Sequence, residues 1–283
     1  RNPDIIVASS YQRRRHVWVL INGRPGSGIH KSTDRGKTWT EITAGLPSDH
    51  MGRIGLAIAP RQPDTVYAII EAAQGKGGFF RSTNGGMTWK KMSDYVAGSP
   101  QYYNEIIPDP INPDRVYSMD TFLQVTEDGG KNWTRLSVRS KHVDDHAMWI
   151  DPDDDGRVLA GNDGGLATSW DGGLTWLELN SVPVGQFYTI HVDMAEPYNV
   201  YGGLQDNGVW VGPSTYEASR GWHDGGRYPY ESLLCGDGMQ VEYAGNNYVA
   251  PEPGLSLDTL LNDEHYRQRR ESSTFKLSVQ DAT

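Results

Sequence analysis

The densest group of side chains able to do chemistry lies at 142–146, His-Val-Asp-Asp-His. On an extended segment His142, Asp144 and His146 would point the same way, because successive strand side chains alternate between faces. Two imidazoles and a carboxylate are ligand types for a divalent ion, with Asp163 or Asp206 available to complete a set. The plainer alternative is a hydrogen-bonded cluster, and no metal or other cofactor is assigned. The run at 151–156, Asp-Pro-Asp-Asp-Asp-Gly, imitates the opening of a calcium loop, yet its twelfth position is Asn162 instead of Glu and no helices are expected on either side. A lone cysteine, Cys235, excludes internal disulfides and Cys-based zinc clusters. There is no G-x-S-x-G elbow and no phosphate-binding glycine loop, so serine-hydrolase and nucleotide chemistry fall away. A basic stretch at 11–16, Tyr-Gln-Arg-Arg-Arg-His, reads as a solvated edge or as a grip on an acidic partner.

The elements that must position these residues are visible as a repeat. An eight-residue pattern returns four times, starting at Ser32, Ser82, Thr126 and Ser169 and ending at Trp39, Trp89, Trp133 and Trp176. Its third residue is Asp34, Asn84, Asp128 or Asp171, and a glycine follows two positions later. A self-similarity of roughly 40–50 residues marks a repeat architecture. Each copy is preceded by a Pro-Asp turn, at Pro3, Pro63, Pro113 and Pro152, that leads into a short apolar run. The unit is strand, Pro-Asp turn, strand, variable loop, strand, polar corner, strand, which is one four-stranded blade of a β-propeller. The corner's polar side chain is expected to bond backbone N–H groups two residues on, its glycine to take a positive φ, and its Trp to wedge between neighbouring sheets. These eight Asp, Asn and Trp positions are therefore structural.

An all-β chain with five to six such blades is expected over residues 1–250, beginning in mid-blade and forming an incomplete ring. Residues 251–283 are a non-repeat tail, with a helical-looking run at 255–271. Further strands are expected at 239–243 and 248–250. The composition, with 33 Gly, 16 Pro and 9 Trp, suits many short strands and tight turns. A formal charge of −10 excludes nucleic acid as the main partner. No apolar run reaches the roughly 18 residues of a membrane helix.

The S/T-x-D/N-x-G-x-T/N-W pattern resembles the Asp-box of the bacterial neuraminidase repeat class, found in sialidases, oligoxyloglucan-cleaving hydrolases and sortilin-type propellers. Residues 142–214, with Asp145 to Pro152, Gly161-Asn162-Asp163-Gly164-Gly165 and Gly203-Leu204-Gln205-Asp206-Asn207-Gly208, look more narrowly like large secreted bacterial proteins labelled glycosyl hydrolase or sortilin-like repeat protein. That resemblance implies an extracellular or periplasmic location and a glycan or protein ligand. The corners occupy one face of the blades and the remaining loops the other. The second face gathers His142, Asp144, His146, Asn162, Gln186, Gln205 and Asn207 as binding residues, together with His223 and Asp224. Trp149, Tyr188 and Trp210 are rings able to stack on sugars. Glycoside cleavage needs two carboxyl groups, for which Asp145, Asp163, Asp206 and Asp237 are the candidates, Asp145 or Asp163 as acid and Asp206 or Asp237 as base. Binding without turnover is the first reading and hydrolysis the alternative. A sialidase reading lacks an Arg-Ile-Pro start, the nearest trace being Arg53-Ile54, and lacks an obvious trio of inward arginines.

Overall fold

A computed structural model describes residues 2–23, 25–48, 50–179, 185–217 and 229–239. The chain divides into two compact units, Arg1–Asn180 and Ser181–Thr283. Apart from one 3-10 turn, Ala73–Gly75, every regular element among the described residues is a strand.

The first unit contains four blades. The first is a three-stranded sheet of β1 (Ile6–Ser10), β4 (Gly28–Ser32) and β5 (Thr40–Ile42), with a separate hairpin, β2 (Arg13–His16) and β3 (Val19–Asn22), inserted between β1 and β4. The next three are four-stranded and antiparallel throughout. They are β6–β9 (Met51–Ile58, Val66–Ala72, Gly78–Ser82, Lys90–Ser93), β10–β13 (Ile106–Pro108, Val116–Ser118, Gln124–Thr126, Thr134–Arg135) and β14–β17 (Asp145–Ile150, Val158–Asn162, Gly165–Ser169, Leu177–Leu179). The second unit carries one described sheet of the same order, β18–β21 (Phe187–Val192, Asn199–Leu204, Val209–Pro213, Glu231–Leu234). Four four-stranded sheets of one order, preceded by a three-stranded sheet, make this an all-β protein built of propeller blades. The expected strands at 239–243 and 248–250, the helical run at 255–271, and His223 and Asp224 lie outside the described residues, save Met239.

Stacking of blades in the first unit follows from alternation along β7. Val66, Ala68 and Ile70 face the core shared with the first blade, which includes Ile29 and Ile42, while Tyr67 and Ile69 face the core shared with the third, which includes Ile106 and Val116. A sheet covered on both faces needs such an unbroken apolar run. A third core joins Tyr117, Met119 and Leu136 of the third blade to Val158, Ala160 and Trp176 of the fourth.

The four corners share one hydrogen-bond plan, and it corrects the expected one. The N–H two residues on belongs to the Asp or Asn itself, and it donates to the leading hydroxyl: Asp34 N to Ser32 Oγ at 3.3 Å, with the equivalent bond at 3.3, 3.4 and 3.3 Å in the other three. That hydroxyl also accepts from the glycine N–H four residues on, as in Gly86 N to Ser82 Oγ, 3.0 Å. The carboxylate or amide oxygen instead accepts from the N–H four residues beyond itself, as in Thr38 N to Asp34 Oδ1, 2.9 Å. The expected glycine takes a positive φ in every corner, and the residue before it does so too: Arg35 (64°) with Gly36 (81°), then Gly85 and Gly86, Gly129 and Gly130, Gly172 and Gly173. Arg35 is the one non-glycine of the eight, in a conformation that side chains disfavour.

The two sequence signatures are the halves of one contact. The fourth residue of each corner donates its N–H to the turn that precedes the second blade strand: Arg35 to Asp4 O, Gly85 to Asp64 O and Gly129 to Asp114 O, at 3.1, 2.8 and 2.8 Å. In the fourth blade the acceptor is Gly156 O, 2.9 Å from Gly172 N, so the role expected of Pro152-Asp153 has moved three residues along a longer turn.

Hydrogen bonds from Thr38 and Ser32 hold the Asp34 carboxyl down to about 2, and those from Thr175 and Ser169 do so for Asp171. Desolvation raises Asp128, but the Asn132 backbone and side chain outweigh it and leave it at about 2 as well. Depressed folded values mean that this support is complete above the unfolded value of about 3.9 and is lost as pH falls through about 2. Asn84, in the second corner, has no charge to lose. The triple variant Asp34→Asn, Asp128→Asn, Asp171→Asn should therefore show a shallower fall in thermal midpoint than the wild type between about pH 5 and pH 2. Parallel curves would show that the corners do not feel protonation.

Candidate functional site

The clustered residues meet where the first strands of the blades begin. Asp145 opposes Asn162 in the register of β14 and β15, but the next pair is Ala147 with Gly161, so His146 is an extra residue in a β-bulge. A bulge re-aims a side chain out of the ladder. The His146 ring stacks on Tyr103, centroids 5.1 Å apart, and its Nε2 lies 3.5 Å from Asp163 Oδ1. Tyr103 enters from the loop before β10. Its hydroxyl donates to Asp144 and receives a 3.4 Å hydrogen bond from Thr121 Oγ1. Burial, and after it the bond to Asp144, pushes the Tyr103 phenol well above its ordinary value, so it remains a donor.

Asp144 has φ 63°, which ends the extended geometry expected of 142–146. His142, Asp144 and His146 accordingly do not share one face of a strand. His142 Nδ1 pairs with Val143 O at 2.9 Å, and the His142 side chain lies where any Cβ on Gly164 would be, 2.5 Å away. Among the described residues no group of three or more His, Cys, Asp or Glu is arranged to hold a metal ion. The calcium-like run is a turn: Asp151 accepts from Asp153 N at 3.0 Å and Asp154 from Gly156 N at 3.1 Å.

The four candidate acids occupy contrasting places. Asp145 is fully buried, and both its oxygens receive Lys141 Nζ, at 2.8 and 2.6 Å. Burial raises its carboxyl against the opposing pull of that ammonium. Lys141 Nζ also donates to His142 O, 3.0 Å, and sits 5.5 Å from the Trp176 ring centre. Asp163 is partly open beside His146. Asn162 Oδ1 accepts from Gly164 N at 3.0 Å, whereas its Nδ2 is a buried donor with no hydrogen-bond partner among the described residues. Trp149 is half exposed but lies three residues down β14 from His146, about 10 Å along a strand.

The second unit repeats the device by itself. Phe187 pairs with Leu204 and Thr189 with Gly203, leaving Tyr188 as the bulged residue. Its hydroxyl donates to Asp237 Oδ1 at 3.2 Å, and the same oxygen accepts from Asp206 N at 3.1 Å. Gln186 contributes its backbone carbonyl to Gln205 N, 2.9 Å. Asn207 Nδ2 donates to Gln205 O, and the Trp210 indole to Asn207 O at 2.7 Å, so Trp210 braces this turn.

Residue type alone missed Tyr103, Thr121 and Lys141, and with them Glu105, which pairs with Arg53 at 3.1 Å. The signal that finds Tyr103 is positional, since it precedes the first strand of its blade much as Asp144 precedes β14.

No protein-family model matches this chain. Over 121 residues it is 30% identical to a probable oligoxyloglucan-reducing end-specific xyloglucanase of Neosartorya fischeri, a match that covers 40% of this chain and 14% of that protein. Among solved structures it is similar to a GH74 xyloglucanase from Xanthomonas campestris, with 15% identity, TM-score 0.49, and 82% of this chain and 37% of that chain covered. It is also similar to a chain of a nidogen/laminin complex, with 16% identity, TM-score 0.41, and 67% and 72% covered. The chain thus spans a small part of the xyloglucanases it matches. Among the described residues no helix is long and apolar enough to cross a membrane.

Proposed function

We propose that this is an exported Asp-box propeller segment that binds a glycan, without turnover, at the mouth formed by Tyr103, His146 and Asp163. The observation that carries the reading is the bulge at His146, which presents an imidazole braced by a phenol beside a carboxylate, while the neighbouring Asp145 is withdrawn into an ion pair. A half-exposed imidazole, backed by the buried Tyr103 ring and flanked by the Asp163 carboxylate, suits a sugar, which offers an apolar face and a rim of hydroxyls. The four corners, and the 30% identity over 121 residues to a probable xyloglucanase, support the propeller part of this reading.

Affinity measurements over a panel of soluble plant and bacterial glycans, with reducing ends assayed in parallel, test it. The expected result is binding to at least one glycan, weakened at least about tenfold by His146→Ala, a loss of roughly 1.4 kcal/mol, with no reducing ends released. If no glycan binds, or if His146→Ala binds as the wild type does, the reading fails. The second reading is hydrolysis. It draws support from the similarity to a probable xyloglucanase and from Asp237, held between Tyr188 and the backbone of Asp206. Release of reducing ends that is abolished by Asp163→Asn or Asp237→Asn would establish it in place of the first.

A further inference from the structure

The hairpin inserted in the first blade has no part in the blade core. Its base is pinned: Gly23 N donates to Gln12 O at 3.1 Å, Gln12 N to Ser27 Oγ at 2.9 Å, and Asn22 Nδ2 to Glu71 Oε1 at 2.5 Å. Gly23, at φ 90°, lies so close to Met51 O that a Cβ there would sit 2.5 Å from it. The far end is bare. Arg13, Arg14, Arg15 and His16 are all exposed, Val17 is 101% exposed and Trp18 82%.

The tip breaks the chemistry of its own turn. A two-residue hairpin connection favours Asn-Gly or a leading glycine, and here it is Val17-Trp18, two apolar residues at the most solvated point. Departures from local rules with no structural gain are expected at functional sites. The Trp18 ring stacks on His16, centroids 5.6 Å apart and planes 12° from parallel, so one ring backs the other and leaves a flat open face. By strand alternation Arg14 shares the face of His16, and Arg13 and Arg15 take the opposite one. One guanidinium fork, Arg14, therefore lies beside the aromatic plate and two, Arg13 and Arg15, on the reverse of the same hairpin, in a chain whose net charge is −10.

We infer that this hairpin is a binding arm for a uronic-acid polysaccharide. A uronic acid carries on a single ring both a flat face of C–H bonds for the plate and a planar carboxylate for a guanidinium fork. A polymer repeats that unit, so the arginines on the two faces can engage successive residues of one strand. The net negative charge of the chain confines such a polyanion to the arm and makes its binding sensitive to salt. The inference rests on the glycan-binding reading above and names a ligand class for a second place on the protein.

The test measures binding of polygalacturonate, of its methyl ester, which lacks the charges, and of poly-glutamate and single-stranded oligothymidylate as other polyanions. The proteins are the wild type, Trp18→Ala, Arg14→Gln and His146→Ala, with circular dichroism of each. Expected are binding of polygalacturonate by wild type and His146→Ala, at least about tenfold weaker binding by the two hairpin variants, little affinity for the ester, and weakening from about 50 to about 300 mM salt. No binding of polygalacturonate, or undiminished binding by Trp18→Ala, overturns the inference. So does equal or tighter binding of poly-glutamate or oligothymidylate with the same Trp18 dependence, which would make the partner a protein or a nucleic acid. Loss in Trp18→Ala while no glycan responds to His146→Ala would sink the mouth and leave the arm; the reverse pattern would sink the arm alone.

Discussion

Lys141→Met should unfold at markedly lower denaturant than the wild type, with a stability loss of about 3–5 kcal/mol near neutral pH. The lysine ammonium and the Asp145 carboxylate are both fully shielded from solvent and bond each other at 2.6 Å. Removing the cation alone leaves a buried carboxylate whose only strong compensation has gone, and that desolvation penalty is the source of the effect. Methionine keeps most of the stem volume, so a cavity contributes little. The double variant Lys141→Met, Asp145→Leu should recover most of the loss, because an apolar pair of similar size is often neutral relative to a buried ion pair.

The pH dependence gives an independent reading of the same pair. Asp145 has its folded pKa raised by burial, and loss of Lys141 removes the group that opposes the rise. A carboxyl with a raised folded value binds its proton more readily folded than unfolded. Its cost is therefore absent below the unfolded value and grows as pH climbs through the folded one. The deficit of Lys141→Met should shrink between about pH 7 and about pH 4.5, measured by urea unfolding at each pH. A deficit that stays constant across that range, or a double variant as unstable as the single one, would show that the lysine acts through packing and not charge.

How much of this was legible in the sequence depends on whether the cause is local. The corners were, since Ser32, Asp34 and Gly36 satisfy one another within five residues and the same few side chains recur in every copy. Their internal plan was legible only in outline, because whether the N–H of residue two or four reaches a given oxygen depends on two successive left-handed residues, and Arg35 hides that requirement behind a non-glycine. The mouth was legible as composition at 142–146 but not as geometry. Alternation along an extended strand fails at Asp144, which turns left-handed, and again at His146, which is bulged. Tyr103 and Thr121 arrive from other loops, and their approach is a consequence of blade stacking that no local pattern encodes. Lys141 carries no local mark in the sequence, and only the buried Asp145 four residues on gives it a purpose.

The same stacking separates four tryptophans that the sequence treats as equals. Trp39 and Trp89 end the same corner, and each indole N–H bonds the corner glycine carbonyl, Gly36 O at 3.0 Å and Gly86 O at 3.1 Å. They differ in what lies beyond. Trp89 packs into the core that the second blade shares with Ile29 and Ile42 of the first and is 6% exposed, whereas Trp39 is 45% exposed. Trp133 and Trp176 follow Trp89, each against the blade before its own: Trp133 meets Phe79 edge-on at 5.0 Å and Tyr95 in a stack at 4.2 Å, and Trp176 joins the core that contains Leu136. Trp89→Ala should therefore cost about 3–5 kcal/mol, the range for deleting a large buried aromatic side chain. Its backbone cannot shift to fill the void, since Trp89 N bonds Ala44 O at 3.0 Å and Gly45 presses against Trp89 O. Trp39→Ala should cost less than half as much in the same chain, losing its local bond and only part of an apolar contact. Urea unfolding of the two variants side by side decides the matter. Equal losses would mean that the indoles act within their own corners, and the wedge between neighbouring sheets would then contribute nothing to holding the blades together.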